Sequence, residues 1–226
     1  MVEMEENNLA RRYLVFTFGI ILNATGIAVT TGAELGTTPI SSLPYVLSLA
    51  FPLSFGTFTF ILNILMVLAQ AVLLRREFRN IQYLQIAAAV VFSAIIDMVM
   101  LVMRMIPITG YAERFGLLLL GSAMLGVGIC LEVYCNVMYI PGEGLVKAIS
   151  RRADREFGVV KIVLDVTLVS SALIASLFFM NGVAGLREGT LFSALTVGLM
   201  ARFFIRHLRV IERWINAVPQ EDDPLP

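Results

Sequence analysis

Three carboxylates stand inside apolar runs of this chain: Asp97 in "SAIIDMVML", Glu132 in "CLEVYCN" and Asp165 in "KIVLDVTL". A charge at the centre of a lipid-spanning helix costs roughly 3 kcal/mol or more unless it is paired or faces a wet cavity. Each of the three is therefore a candidate for binding a proton, a cation or a polar solute. Glu34 closes the first apolar run, four residues after Thr30, and Glu132 precedes Asn136 by the same interval. A spacing of four places both members of each pair on one helix face. Asn23 lies two turns before Thr30, and Asn63 lies in the second apolar run. We expect one net-acidic cavity lined by Asn23, Thr30, Glu34, Asn63, Asp97, Glu132, Asn136 and Asp165. Asp97 and Glu132 would be its principal binding groups, suited to a proton, a cation or an amine. Plainer roles stand beside these: Lys161 and Asp165 as a self-neutralising pair, Glu34 as a boundary residue facing water, and Arg104 and Arg202 as anchors that snorkel to the surface.

These side chains need helices to hold them, and the helices have two odd interruptions. The stretch "ELGTTPISSLP" breaks an otherwise uncharged run with Pro39 and Pro44 and crowds hydroxyls around the break. Proline has no backbone N–H and pushes the preceding residue out of helical geometry. The first helix should end near Leu35–Gly36, and a short one should begin at Pro39 with Thr37 or Thr38 as N-cap. Pro141 repeats the device within "NVMYIPGEGLV", with Tyr139 just before it. A helix start presents unpaired N–H groups and partial positive charge, which suits an anionic group, so Thr38, Pro39, Tyr139 and Pro141 join the candidate site. The competing picture for 39–53 is an ordinary loop lying on the headgroups.

Composition sets the environment. The 226 residues are 58% hydrophobic and 15% charged, against about 25% charged in soluble domains. We read an all-α, polytopic membrane protein, a single transmembrane domain over 1–226, with spans at 12–35, 56–74, 83–104, 115–138, 158–180 and 187–207. The acidic start lacks a small-residue cleavage site, so the first run is read as a retained span rather than a signal peptide. Placing both termini in the cytoplasm puts 14 of the 17 Lys and Arg residues inside and leaves Arg104, Arg114 and Arg187 outside, as the positive-inside rule requires. Residues 1–11 become a cytoplasmic N-terminus and 215–226 a disordered cytoplasmic tail.

Shifted by 102 residues, the chain aligns with itself without a gap. Between 12 and 67 there are 11 identities in 56 columns, among them Gly19/Gly121, Gly26/Gly128, Pro39/Pro141 and Gly56/Gly158. Each half (12–108 and 114–210) holds three spans, an odd number, so the halves run in opposite senses. Two inverted three-helix repeats with Pro-broken segments after their first helices are the architecture of many secondary transporters.

Other chemistry lacks its residues. His207 is the only histidine, which leaves no zinc set, no His-dependent serine dyad and no haem pair. No phosphate loop or dinucleotide fingerprint is present, and no cofactor or enzymatic activity is expected. With zero net charge, no nucleic-acid partner is expected; the lipid bilayer and a small solute are. A homodimer or a membrane partner stays open. The stretch "LGTTPISSLPYVLS…FGTFTFILNILMVLAQ", with Pro39, Ser48, Gly56 and Asn63, resembles the YczE/YyaS/YitT-type bacterial integral membrane proteins. The short tail after Trp214 places it nearer the YczE branch. That resemblance implies a bacterial inner-membrane protein with no established substrate. We read a transporter of a small polar or organic solute by alternating access, with proton coupling open. The alternative is a non-transporting accessory, assembly or substrate-capture subunit of a larger complex.

Overall fold

The computed structural model describes residues 2–78 and 80–216, and among these there is no strand. Among the described residues nine α-helices follow in chain order: α1 (Val2–Gly32), α2 (Pro39–Ala50), α3 (Phe55–Leu74), α4 (Leu84–Met103), α5 (Tyr111–Cys135), α6 (Pro141–Ala153), α7 (Phe157–Met180), α8 (Glu188–His207) and α9 (Arg209–Asn216). Six of them, α1, α3, α4, α5, α7 and α8, are long and apolar enough to cross a membrane. They fall where the hydropathy of the sequence places the spans, within a few residues at each end. The region 2–11 is not a separate segment: α1 runs back to Val2. At the other end, Ile215 is the buried face of α9 and joins the core, so helix replaces the expected disorder at 215–216. Residues 217–226 of the expected tail lie outside the described residues.

The centre of the molecule is the contact of α1 with α5, the most extensive in the fold. The two helices run antiparallel and touch through glycines. A Cβ added at Gly26 would lie 2.8 Å from the Gly121 carbonyl, and one added at Gly128 would lie 2.9 Å from that of Gly19. Small residues let backbones approach closely enough for dispersion to hold helices together where lipid offers no hydrophobic drive. The pairs Gly19–Gly128 and Gly26–Gly121 exchange with each other under the 102-residue shift. Around this axis α4 packs on α1 and α8 on α5, while α2 packs on α7 and α6 on α3. The core fills the space between them with Phe16, Ile20, Ile27, Phe92, Ile96 and Leu125.

The two ends of the bundle are tied differently. At one end Arg114 pairs with the Glu34 carboxylate and Arg187 donates to the Glu34 carbonyl at 3.1 Å. At the opposite, arginine-rich end, Arg151 pairs with Glu77 at 3.0 Å.

Candidate functional site

The site is built around the two short helices. Thr38 is extended (φ −73°, ψ 152°) and is the N-cap of α2, with Pro39 in the first turn. Ile140 is extended likewise (φ −64°, ψ 156°), and Pro141 opens α6. Proline enforces both starts because its fixed φ suits a first helical position and its missing N–H is not needed there. The α2 break is tied down by hydroxyls. The Thr31 and Thr37 side chains share a hydrogen bond of 2.7 Å, the Thr37 N–H donates to Thr190 Oγ1 at 3.2 Å, and Ser193 Oγ donates to the Thr37 carbonyl at 3.1 Å. The α6 break is held by Gln70, whose amide donates to the Pro141 carbonyl at 3.0 Å. Gln70 and Gln85 also exchange reciprocal bonds of 3.1 and 3.2 Å.

The two helix starts meet. A Cβ added to Gly142 would lie 2.2 Å from Ile40 Cδ1. Ile40 and Gly142 each follow the proline that opens their helix, and they are 102 positions apart. Beside this junction lies a cavity of about 520 Å³. Its wall takes the first turns of α2 and α6, Asn23 from α1, Asn63 from α3, Phe92 from α4 and Leu125 from α5. It continues between Phe157–Asp165 of α7 and Ser193–Arg202 of α8.

Six of the expected residues are therefore brought together on the wall: Asn23, Thr38, Pro39, Asn63, Pro141 and Asp165. The other six are not on it. Asp97 turns to the start of α3, where its carboxylate accepts from Ser54 Oγ at 2.6 Å and from the Gly56 N–H at 2.7 Å. A carboxylate satisfies the orphan amides of a helix N-terminus, and α3 begins beside Asp97. Glu132 lies behind Asn23, whose amide donates to it at 3.1 Å; it is 6% exposed, and its second oxygen has no partner. Thr30 is fully buried against Gly121, also with a partnerless hydroxyl. Glu34 and Asn136 sit at the C-terminal ends of their helices with positive φ of 58° and 45°, Glu34 paired to Arg114. Tyr139 accepts from Lys147 at 2.7 Å, with the ammonium over its ring.

A family model matches residues 10–206. The chain belongs to the family of unknown function DUF6198. No curated protein and no solved structure matches it.

In this DUF6198 chain the wall also carries Glu143, which sequence reasoning passed over, and Lys161 and Arg202, which it had given plainer roles. Lys161 and Asp165 are bonded to each other at 2.9 and 3.0 Å, the self-neutralising pair that their spacing allows. Arg202 lies on the wall as well as near the end of its span. Glu143, in the first turn of α6 and outside the six spans, has its carboxyl pushed above the ordinary carboxylate range by burial, with Lys161 opposing. The cavity is accordingly not net acidic. Of the expected carboxylates only Asp165 faces it, and Lys161 cancels that one.

The halves also differ at one pair of equivalent glycines. Between α3 and α4 a Cβ at Gly56 would lie 2.2 Å from the Ser93 carbonyl and 2.6 Å from Asp97. At Gly158, the position 102 residues later, nothing lies within 4 Å. The helices α3 and α4 pack along each other, whereas α7 and α8 make no comparable contact. The cavity reaches the space between α7 and α8.

Proposed function

We propose that this protein is a secondary transporter that moves a small organic solute by alternating access between two inverted three-helix halves. The observation that carries the proposal is the unequal state of two equivalent seams. The α3–α4 seam is shut at Gly56, and the α7–α8 seam is open at Gly158 beside the cavity. Two similar halves folded in opposite orientations have two arrangements related by a pseudo-two-fold axis, and exchanging the open seam for the shut one exposes the same central site to the other side. The junction of the two Pro-led helices supports this reading, since irregular backbone at membrane depth is tolerated where it is buried in protein or lines a wet cavity. With both termini cytoplasmic in a bacterial inner membrane, as the arginine distribution and the YczE-like resemblance favour, the cavity faces inward and the α3–α4 seam closes the outer side. No catalytic role is assigned to any residue.

The test is paired labelling with a membrane-impermeant maleimide in right-side-out and inverted vesicles. Single cysteines at Phe60 and Ile162, positions related by the 102-residue shift, should change accessibility in opposite senses when a bound solute is added. Labels that stay fixed, together with a stoichiometric membrane partner on purification, would favour an accessory subunit instead.

A further inference from the structure

The charges on the cavity wall point to the class of solute. Lys161 and Asp165 neutralise each other, and Glu143 and Arg202 contribute one charge of each sign. What remains are the starts of α2 and α6, helices of 12 and 13 residues that both open on the wall. Each helix N-terminus is equivalent to about half a positive charge, so the surplus is close to a single positive unit.

A second observation marks the spot. Thr38 stands on the wall at the start of α2, is 6% exposed, and its hydroxyl has no partner. An N-cap hydroxyl ordinarily accepts from the second or third amide of its own helix. Here it does not cap at all, and the Ser41 N–H bonds the Thr38 carbonyl at 3.0 Å instead. The hydroxyl is buried at the start of the helix and engaged with nothing. The equivalent position in the other half is Ile140, so there is one such polar seat. The same wall carries apolar side chains, Ile20, Ile27, Phe92, Leu125 and Val197.

Resting on the transporter reading of the same cavity, we propose that its solute is a monovalent organic anion, a carboxylate carried on a compact apolar body. The carboxylate sits at Thr38 and the joined helix starts, and the apolar body lies against Ile27, Phe92 and Val197. A cationic amine, which a net-acidic cavity would select, has no unpaired carboxylate here other than Glu143.

The test uses the full chain, purified in detergent, and three probes that share one ring: cyclohexanecarboxylate, cyclohexylamine and cyclohexanol. Thermal unfolding is followed as each is titrated. The carboxylate should raise the midpoint, and the amine and alcohol should not. T38V should weaken the apparent carboxylate affinity by about tenfold, the loss of one hydrogen bond to a charged group, while T38S retains it. A larger shift from the amine, an undiminished carboxylate shift in T38V, or no shift from the carboxylate would overturn the proposal. The comparison of head groups is made on the wild-type chain, so it decides the matter even if T38V does not fold. Counterflow in proteoliposomes separates the two levels of inference. Carboxylate binding without flux defeats the transporter and leaves the anion site standing, whereas amine flux without carboxylate binding does the reverse.

Discussion

Gly56→Ala and Gly158→Ala are the same substitution at positions related by the 102-residue shift, and they should act in opposite ways. At Gly56 the new methyl would lie 2.2 Å from the Ser93 carbonyl and 2.6 Å from the Asp97 carboxylate, so the α3–α4 seam must part to admit it. Neither obstacle is the free end of a flexible chain, because the carbonyl is backbone and the carboxylate is bonded to Ser54 and Gly56. Overpacking of this kind costs about 1–3 kcal/mol. A cost confined to one of two states changes their ratio by roughly 5- to 150-fold. At Gly158 the methyl meets nothing within 4 Å. There it costs nothing in the present arrangement and obstructs only the one in which α7 and α8 close. The assay is maleimide labelling of Phe60→Cys and Ile162→Cys, with the buried Cys130 and Cys135 replaced by alanine. G56A should raise labelling at position 60 and lower it at 162, and G158A should leave 60 protected and 162 open. Equal responses from two folded variants would refute the reasoning, because a purely structural glycine pair has no cause to favour opposite states.

Three further outcomes follow from the same geometry. Asp97→Asn keeps the shape but removes the charge that holds Ser54 and the Gly56 N–H; charged hydrogen bonds exceed neutral ones by about 1 kcal/mol, so D97N should lower the unfolding midpoint and shift labelling in the same direction as G56A. Glu143 carries a like charge beside the proposed anion seat, with Lys161 and Asp165 facing it from α7 and Glu132 from α5. Its raised pKa means that the neutral form persists to higher pH than in a free carboxylate, so carboxylate affinity should strengthen as pH falls through its titration and E143Q should flatten that dependence in a binding titration. Gln70→Leu leaves the Gln85 amide buried without its reciprocal partner and should cost about 1–3 kcal/mol; the double variant Q70L/Q85L should recover part of this in a double-mutant cycle read by thermal unfolding.

The sequence made the helices legible because lipid allows little else. Apolar length marks the spans, and a proline at position 39 or 141 sets where a helix starts whatever surrounds it. The 102-residue self-alignment rests on glycines and prolines, whose backbone roles survive when side chains diverge. The direction in which a carboxylate turns was not. Asp97 stands well inside its span by count, yet its partner is the start of α3, 41 residues earlier in the chain, and no local pattern announces that meeting. Glu34 closes a helix face that looks inward, but positive φ at the helix end turns it to Arg114. Glu143 was hidden in plain view between Gly142 and Gly144, read as part of a break when it was also the one acidic residue of a wall-forming turn. Its alignment with Ser41, another wall residue, was the signal that could have found it.

The central claim is that the two seams exchange states, and distances between spin labels test it most directly. Labels on Ile61 and Met98 span α3–α4, and labels on Val163 and Met200 span α7–α8 at the corresponding positions. Both pairs are measured in lipid with and without cyclohexanecarboxylate. The account predicts two distance populations for each pair, short at α3–α4 when long at α7–α8, with the balance moved by G56A. A single distance for each pair, unchanged by probe and by G56A, would contradict it.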